Sequence, residues 1–268
     1  MRDDVPAPDR SPLPLEEAAQ PRQLGEGPAR PGKVWLVGAG PGDPELLTVR
    51  ATNLLAAAEV VAHDELVPHA ILELAPSRAE RIAVGRRAGG PCLAGGAVHP
   101  LVLVRAREGK DVLRLKGGDP YVFGRGGEET EELAAAGIPF EVVPGVTAVL
   151  ALAARTCVPL THRTASASVT LVTAYPAGPV QGLEHLAASV PRCGTIAVYM
   201  GLWRLDLVSS ALIATGRSPD TPALVTSQAT LPGERTVQGT LADIAALAQA
   251  ASLGAPALLL LAWISTDH

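Results

Sequence analysis

From residue 33 onward, short apolar runs containing β-branched residues alternate with stretches of helical pattern. Residues 34–37, 60–62, 81–84, 112–115 and 140–143 have the length and content of strands, and residues 44–58, 68–75, 98–107 and 128–136 between them read as helices. Asp43 is placed as an N-cap whose carboxylate can accept from the open amides of the first turn. Pro44 follows at the first helical position, where a missing N–H costs nothing. Gly137, followed by Pro139, marks a stop, because glycine adopts the left-handed conformation that closes a helix and proline cannot continue it. Such alternation predicts a mainly parallel sheet covered by helices, since parallel strands need long crossovers.

A second unit begins near Val169. Its predicted strands are residues 169–173, 195–199, 223–227, 235–238 and 257–262, and its predicted helices are 182–188, 205–215 and 241–251. The turn Leu231-Pro232-Gly233-Glu234 is short enough to fold two of these strands into an antiparallel pair. The apolar run 255–264 falls well short of the ~20 residues a membrane helix needs, so it reads as a buried strand and no membrane partner is expected. The predicted fold class is α/β, with two α/β domains, residues 32–145 and 169–268, joined by a connecting segment 146–168. A ligand cleft is expected between them, because ligands collect at domain interfaces and beyond the C-terminal ends of parallel strands.

Composition sharpens this picture. Residues 1–31 are rich in Pro, charge and small side chains without periodicity, and are expected to form a disordered tail. They show no apolar signal core, and their acidic residues disfavour mitochondrial targeting. Apolar residues make up 47% of the chain but aromatics only 3%, so the cores must be built from Ala, Val and Leu. A net charge of −5 offers no field for nucleic acid. Cys92, Cys157 and Cys193 are odd in number, far apart and without a C-x-x-C pair, which reads as a reduced, cytoplasmic protein with no zinc site.

Candidate chemistry gathers at glycine-rich strand ends. "GAGPGDPE" from Gly38 follows the first strand and opens a helix. A dinucleotide fingerprint would need Gly or Ala at position 43; Asp43 would compete with a pyrophosphate for the helix amides, which argues against NAD(P) or FAD. "RLKGGDPYVFGRGGEE" from Arg114 ends another strand, and Gly117 and Gly118 would let backbone approach a flat or extended ligand. Asp119 offers a carboxylate suited to hydroxyls or an amine rather than to phosphate. Arg125 and Glu128, three apart, share a helical face if the turn has begun there, either as site residues or as a surface ion pair worth ~0–1 kcal/mol. "VVPGVTA" supplies the Thr147 hydroxyl and the small Ala148, "PLTHR" puts Arg163 near the domain junction, and "VYMG" ends a strand with Met200, a core gap-filler or a ligand contact.

Together, "VGAGPGDPELLT", "KGGDPYVFGRGGEE", "VVPGVTA", "PLTHR" and "YMG" resemble the uroporphyrinogen-III C-methyltransferases of the tetrapyrrole methylase family, over residues 33–262. The resemblance implies the class III methyltransferase fold, a homodimer, and S-adenosylmethionine held between the domains, with no metal required. It implies a carboxylate-rich tetrapyrrole substrate methylated at C2 and then C7, giving precorrin-1 and then precorrin-2. By the same resemblance the methyl donor would contact Pro41, Gly117, Gly118, Asp119, Val122, Thr147, Ala148, Met200 and Ala229, and the substrate would contact Arg125, Glu128, Arg163 and Met200. Guanidinium groups suit this acceptor because they bind carboxylates through two parallel hydrogen bonds. Asp64, in "AHDELV", matches the acidic residue that takes up a proton in the family; taken alone it reads equally as a helix cap. Arg125 is a second catalytic candidate, through charge stabilisation, since a pKa above ~12 makes it a poor base.

Four positions depart from the family pattern. Arg86 stands where a Lys assigned as proton donor is usual, and as a third catalytic candidate it keeps the charge without readily releasing a proton. Gly95 and His99 occupy positions that are polar Gln and Asn in relatives, and Ala229 stands where Gly is usual. These departures keep a second reading open, a weakly active or inactive relative that binds S-adenosylmethionine or a tetrapyrrole, or a methylase for another precorrin.

Overall fold

The computed structural model describes residues 30–84, 97–175, 183, 186 and 189–262, and in them the strand–helix alternation builds two five-stranded sheets. The first contains β1 (Val34–Gly38), β2 (Val60–His63), β3 (Glu80–Ala83), β4 (Val112–Lys116) and β5 (Phe140–Val143) in the order β3-β2-β4-β1-β5, with every neighbouring pair parallel. Period-two alternation divides its apolar residues between two faces. Val37 and Leu113 pack with Leu55 of α1 (Val49–Ala57) and Ile71 of α2 (His69–Leu72). Val34 and Leu36 pack on the other face, with Val102 of α3 (Pro100–Arg107) and Leu133 of α4 (Gly126–Ala135). Gly137 has φ 67° just past α4, as its place after the helix predicts.

One predicted helix is interrupted. Residues 44–58 form a 3₁₀ turn, Pro44–Leu46, and then α1. Asp43 does cap, accepting from the Glu45 amide at 2.9 Å, but it caps only the short turn. Thr48 supplies a competing cap, its Oγ1 accepting from the Ala51 amide at 3.1 Å, and holds the backbone extended between the two pieces.

The predicted connecting segment also contains a helix, α5 (Ala148–Thr156). Val149 and Leu152 pack against Ala197, Leu224, Leu258 and Leu260, so this helix covers one face of the second sheet. That sheet has the order β6-β7-β10-β8-β9, from β6 (Val169–Thr173), β7 (Thr195–Tyr199), β8 (Pro222–Ser227), β9 (Arg235–Thr240) and β10 (Ala257–Leu261). β6 and β7 are parallel, and the other neighbours are antiparallel, including the predicted β8–β9 hairpin. The apolar run near the C-terminus becomes β10, a central strand with Leu258 to Leu261 buried. On the opposite face α6 (Leu205–Ala214) and α7 (Ile244–Ala250) contribute Val208, Leu212 and Ile244 to the core. The predicted helix 182–188 lies outside the described residues apart from Leu183 and Leu186, which join this core. No helix among the described residues is long and apolar enough to cross a membrane.

Where β1 and β5 end, backbone lies directly against backbone. A Cβ on Gly145 would sit 2.2 Å from the Gly118 carbonyl oxygen and 2.8 Å from the Gly38 Cα. These two glycines are therefore needed for chain packing rather than for ligand access. Gly145→Ala is expected to lower stability by ~1–3 kcal/mol. By contrast, Gly127→Ala, in the first turn of α4 with nothing within 4 Å of its Cβ, should be neutral or add up to ~1 kcal/mol. Urea denaturation checks the pair, and equal midpoints would contradict the packing.

Candidate active site

Because its strands are parallel, the first sheet delivers the loops after β1, β2, β4 and β5 to one edge. The two glycine-rich loops are stitched together there. The Gly40 amide donates to the Gly118 carbonyl at 3.1 Å, and the Gly118 amide donates to the Gly40 carbonyl at 2.7 Å. Asp119 adds a third loop. Its Oδ1 accepts from the Tyr121 amide at 2.8 Å and its Oδ2 from the Gly145 amide at 3.0 Å. The carboxylate expected to face a ligand thus holds the shape of the loops.

In the second sheet β7 and β8 are both antiparallel to β10, so they run the same way and end on one edge, at Tyr199 and Ser227. The two edges meet. The Asp43 amide donates to Thr230 Oγ1 at 3.2 Å. The Tyr199 hydroxyl shares a 2.8 Å hydrogen bond with Thr147 Oγ1 and accepts from the Val149 amide at 3.2 Å, so it caps the start of α5. Its ring lies 4.9 Å from that of Phe123. Burial pushes the Tyr199 phenol above its ordinary pKa, against the opposing hydrogen bonds from Thr147 and Val149, so it remains a neutral hydroxyl.

Most of the predicted donor-binding residues come together along this seam. Gly117 is the open position, since a Cβ there would meet only the Leu66 Cβ, at 3.7 Å. Gly118 takes φ 66°, Ala148 opens α5, and Pro41 and Val122 lie half-buried in the adjoining loops. Met200 follows Tyr199 with φ 56° and 43% exposure, which excludes it from the core. Ala229 sits in the loop after β8, between Gln228 and Thr230. Phe123, Arg125, Met200, Gln228 and Thr230 all adopt left-handed backbone on these loops, a cost that non-glycine residues bear mainly at ligand sites. Ala229 itself is outside that region, so its Cβ adds no backbone strain where glycine was expected.

The other predicted residues are more scattered. Arg125 sits in left-handed backbone at the N-cap position of α4, without a side-chain cap, and donates to Glu128 at 3.3 Å, with both side chains about half exposed. Arg163 belongs to a different local structure, the turn closed by the His162–Ser166 bridge, where it lines a 260 Å³ pocket with Thr161, His162, Ser166 and Ala167. Asp64 directly follows β2, and its amide donates to the Leu115 carbonyl at 3.1 Å. Arg86 and Gly95 lie outside the described residues. His99 is a helix cap, its Nδ1 accepting from the Leu101 amide of α3 at 3.3 Å.

The sequence pattern of the Tetrapyrrole (Corrin/Porphyrin) Methylases matches residues 33–245. The chain belongs to this family. It is 46% identical over 231 residues to the S-adenosyl-L-methionine-dependent uroporphyrinogen III methyltransferase of Methanosarcina barkeri, covering 85% of this chain and 89% of that protein. It is 47% identical over 230 residues to the siroheme synthase of Gluconacetobacter diazotrophicus, covering 85% of this chain but 49% of that protein, so the chain spans about half the length of such relatives. The crystal structure of uroporphyrin-III C-methyl transferase from Thermus thermophilus, complexed with S-adenyl homocysteine, superposes with a TM-score of 0.73 at 41% identity, covering 86% of this chain and 92% of that one. The two-sheet arrangement is the class III methyltransferase fold.

In this tetrapyrrole methylase the sequence reading passed over three charged residues beside the site. Arg114 and Lys116 are on β4, the central strand, and are 6% and 2% exposed. Arg114 donates through Nε and Nη2 to the two oxygens of Glu129 in α4, at 3.2 and 3.0 Å, and through Nη2 to Asp64 Oδ1 at 2.5 Å. Lys116 Nζ donates to Glu129 Oε1 at 2.5 Å. Burial disfavours the Arg114 charge, but Asp64 and Glu129 outweigh it and raise the pKa. Burial and the Arg114 charge lower that of Lys116 despite the same two carboxylates. The signal in sequence was the pair of cations at alternate positions in "VLRLK", followed by "GGEE".

Tyr199→Phe keeps the ring contact but removes the hydroxyl shared by Thr147 and Val149. We expect a loss of ~1–3 kcal/mol in chemical denaturation, because a partly buried amide and hydroxyl lose their partner. An unchanged midpoint would mean that the hydroxyl does not hold the two edges together.

Proposed function

We propose that this chain catalyses the S-adenosylmethionine-dependent C-methylation of uroporphyrinogen III at C2 and then C7, giving precorrin-2 through precorrin-1. Homodimeric assembly, a cytoplasmic location, and the two α/β halves acting as domains around a shared cleft belong to the same proposal. The observation that carries it is the 46% identity to the Methanosarcina barkeri methyltransferase across 89% of that protein's length.

The residues fit the donor. Gly117 leaves a space that a side chain would fill, and a Cβ on its neighbour Gly118 would come within 3.9 Å of the Thr147 Cα, just before Ala148. Pro41, Val122, Thr147, Met200 and Ala229 complete the proposed seat, and Asp119 fixes the loops that form it. When bound, S-adenosylmethionine supplies a methyl group made electrophilic by its sulfonium. The chain's part is to hold donor and acceptor in line, an arrangement that can lower a barrier by ~7–11 kcal/mol. Asp64, with a side chain 24% exposed just after β2, is the proposed acceptor for the proton that leaves the methylated macrocycle. Arg125 and Arg163 clamp substrate carboxylates, with Met200 as an apolar contact. The exposed Arg125–Glu128 pair is worth only ~0–1 kcal/mol, so its guanidinium can exchange partners at little cost. Discrete guanidinium groups are required because the protein as a whole is acidic.

Incubation of the purified protein with uroporphyrinogen III and S-adenosylmethionine should add two methyl groups to the macrocycle by mass spectrometry. No methylated product at high enzyme concentration would refute the proposal. Arg163→Ala is expected to weaken tetrapyrrole binding by ~10-fold or more, from loss of a charged hydrogen bond, with S-adenosylhomocysteine binding unchanged. Gly117→Val should do the reverse, weakening S-adenosylhomocysteine by ~10-fold or more through overpacking of the seat. Calorimetry with each ligand separates the two, and parallel losses in both would remove the assigned roles.

A further inference from the structure

We infer that Arg114 is a positioning residue for methyl transfer, holding the Asp64 carboxylate in its working orientation through a buried, charge-balanced network with Glu129 and Lys116. The inference rests on the assignment of Asp64 as proton acceptor made above.

All three guanidinium nitrogens of Arg114 are committed. Nε and Nη2 grip Glu129, Nη1 donates to the Leu115 carbonyl at 3.1 Å, and Nη2 also donates to Asp64 Oδ1. Glu129 is itself held by Lys116, with side-chain exposures of 6% and 3%. The Arg114 side chain is 8% exposed and Asp64 24%, so the network reaches solvent through Asp64. A carboxylate on a strand end has rotamer freedom that must be lost before it can act. Here one oxygen is fixed by a guanidinium that is fixed in turn from two elements, β4 and α4. The four groups sum to zero formal charge, so the arrangement can stay buried. Arg suits the position better than Lys because its planar fork holds two carboxylates in one geometry.

A double-mutant cycle tests this. Arg114→Gln should lower kcat for methylation by ~10–100-fold, the cost of a misplaced catalytic group. The KM for uroporphyrinogen III and the calorimetric affinity for S-adenosylhomocysteine should stay unchanged. In an Asp64→Asn background the same substitution should have no further effect, because the group it acts through is already lost. Arg114→Gln/Glu129→Gln leaves Lys116 opposite Asp64 with equal and opposite charge; it should melt as a folded protein and show the same loss in kcat. An equal loss with and without the Asp64 carboxylate, or an unchanged kcat in folded Arg114→Gln, overturns the positioning role. Wild-type kcat in Asp64→Asn alone overturns the base assignment and this role with it. Absence of any methyl transfer by the wild-type chain overturns the methyltransferase reading itself.

Discussion

Two cations on the central strand of a parallel sheet cannot be left without partners. Both faces of β4 are covered by helices, and Arg114 and Lys116 point to the face covered by α3 and α4. An unpaired ion there would cost several kcal/mol. Glu129 answers both, and Asp64 and the Leu115 carbonyl take the other guanidinium contacts. Glu129 sits in the first turn of α4, so meeting it fixes where that helix begins on the sheet. The loop from Gly117 to Arg125 must then span from the end of β4 to this anchored helix. Neutralising two buried charges thereby sets the course of the loop that the proposed donor and acceptor share.

A second constraint joins this edge to the other sheet. Tyr199 ends β7, yet its hydroxyl is used by Thr147 and Val149 at the start of α5, while its ring rests against Phe123. The left-handed residues Phe123, Arg125 and Met200 lie on the loops next to it, and Gln228 and Thr230 lie on the loop after β8, which the Asp43 amide ties to the first sheet through Thr230. Strain of this kind persists only where the surroundings over-determine it, and here both sheets contribute to holding it.

Much of the fold is legible in the chain. Each predicted strand is present to within two residues, because β-branched runs between turn residues have few other stable uses. The misses have local causes. Residues 44–58 read as one helix because helical pattern does not register Thr48, whose hydroxyl restarts the helix. Helix α5 was passed over as a connection because its apolar residues, Val149 and Leu152, take their meaning from a sheet that follows later in the chain. At the site, the glycine-rich loops were conspicuous in sequence, but that pattern did not separate Gly117, with space around its Cβ position, from Gly145, closed against Gly118.

The sequence by itself determined the kind of elements, the family, and the residues gathered along the seam, because periodicity, caps and contiguous motifs are local properties of the chain. Only the tertiary structure showed which of those residues are tied up in the scaffold. Asp119 and Thr147, read as ligand contacts, make hydrogen bonds that hold the loops and the two edges together. Arg114 and Lys116, in a segment taken for an apolar strand, became the buried partners of Glu129, with Arg114 also holding Asp64. The reason is that burial and pairing depend on residues distant in sequence. Arg114 and Asp64 are fifty positions apart, and a charge on a strand can be weighed only once the elements covering it are known.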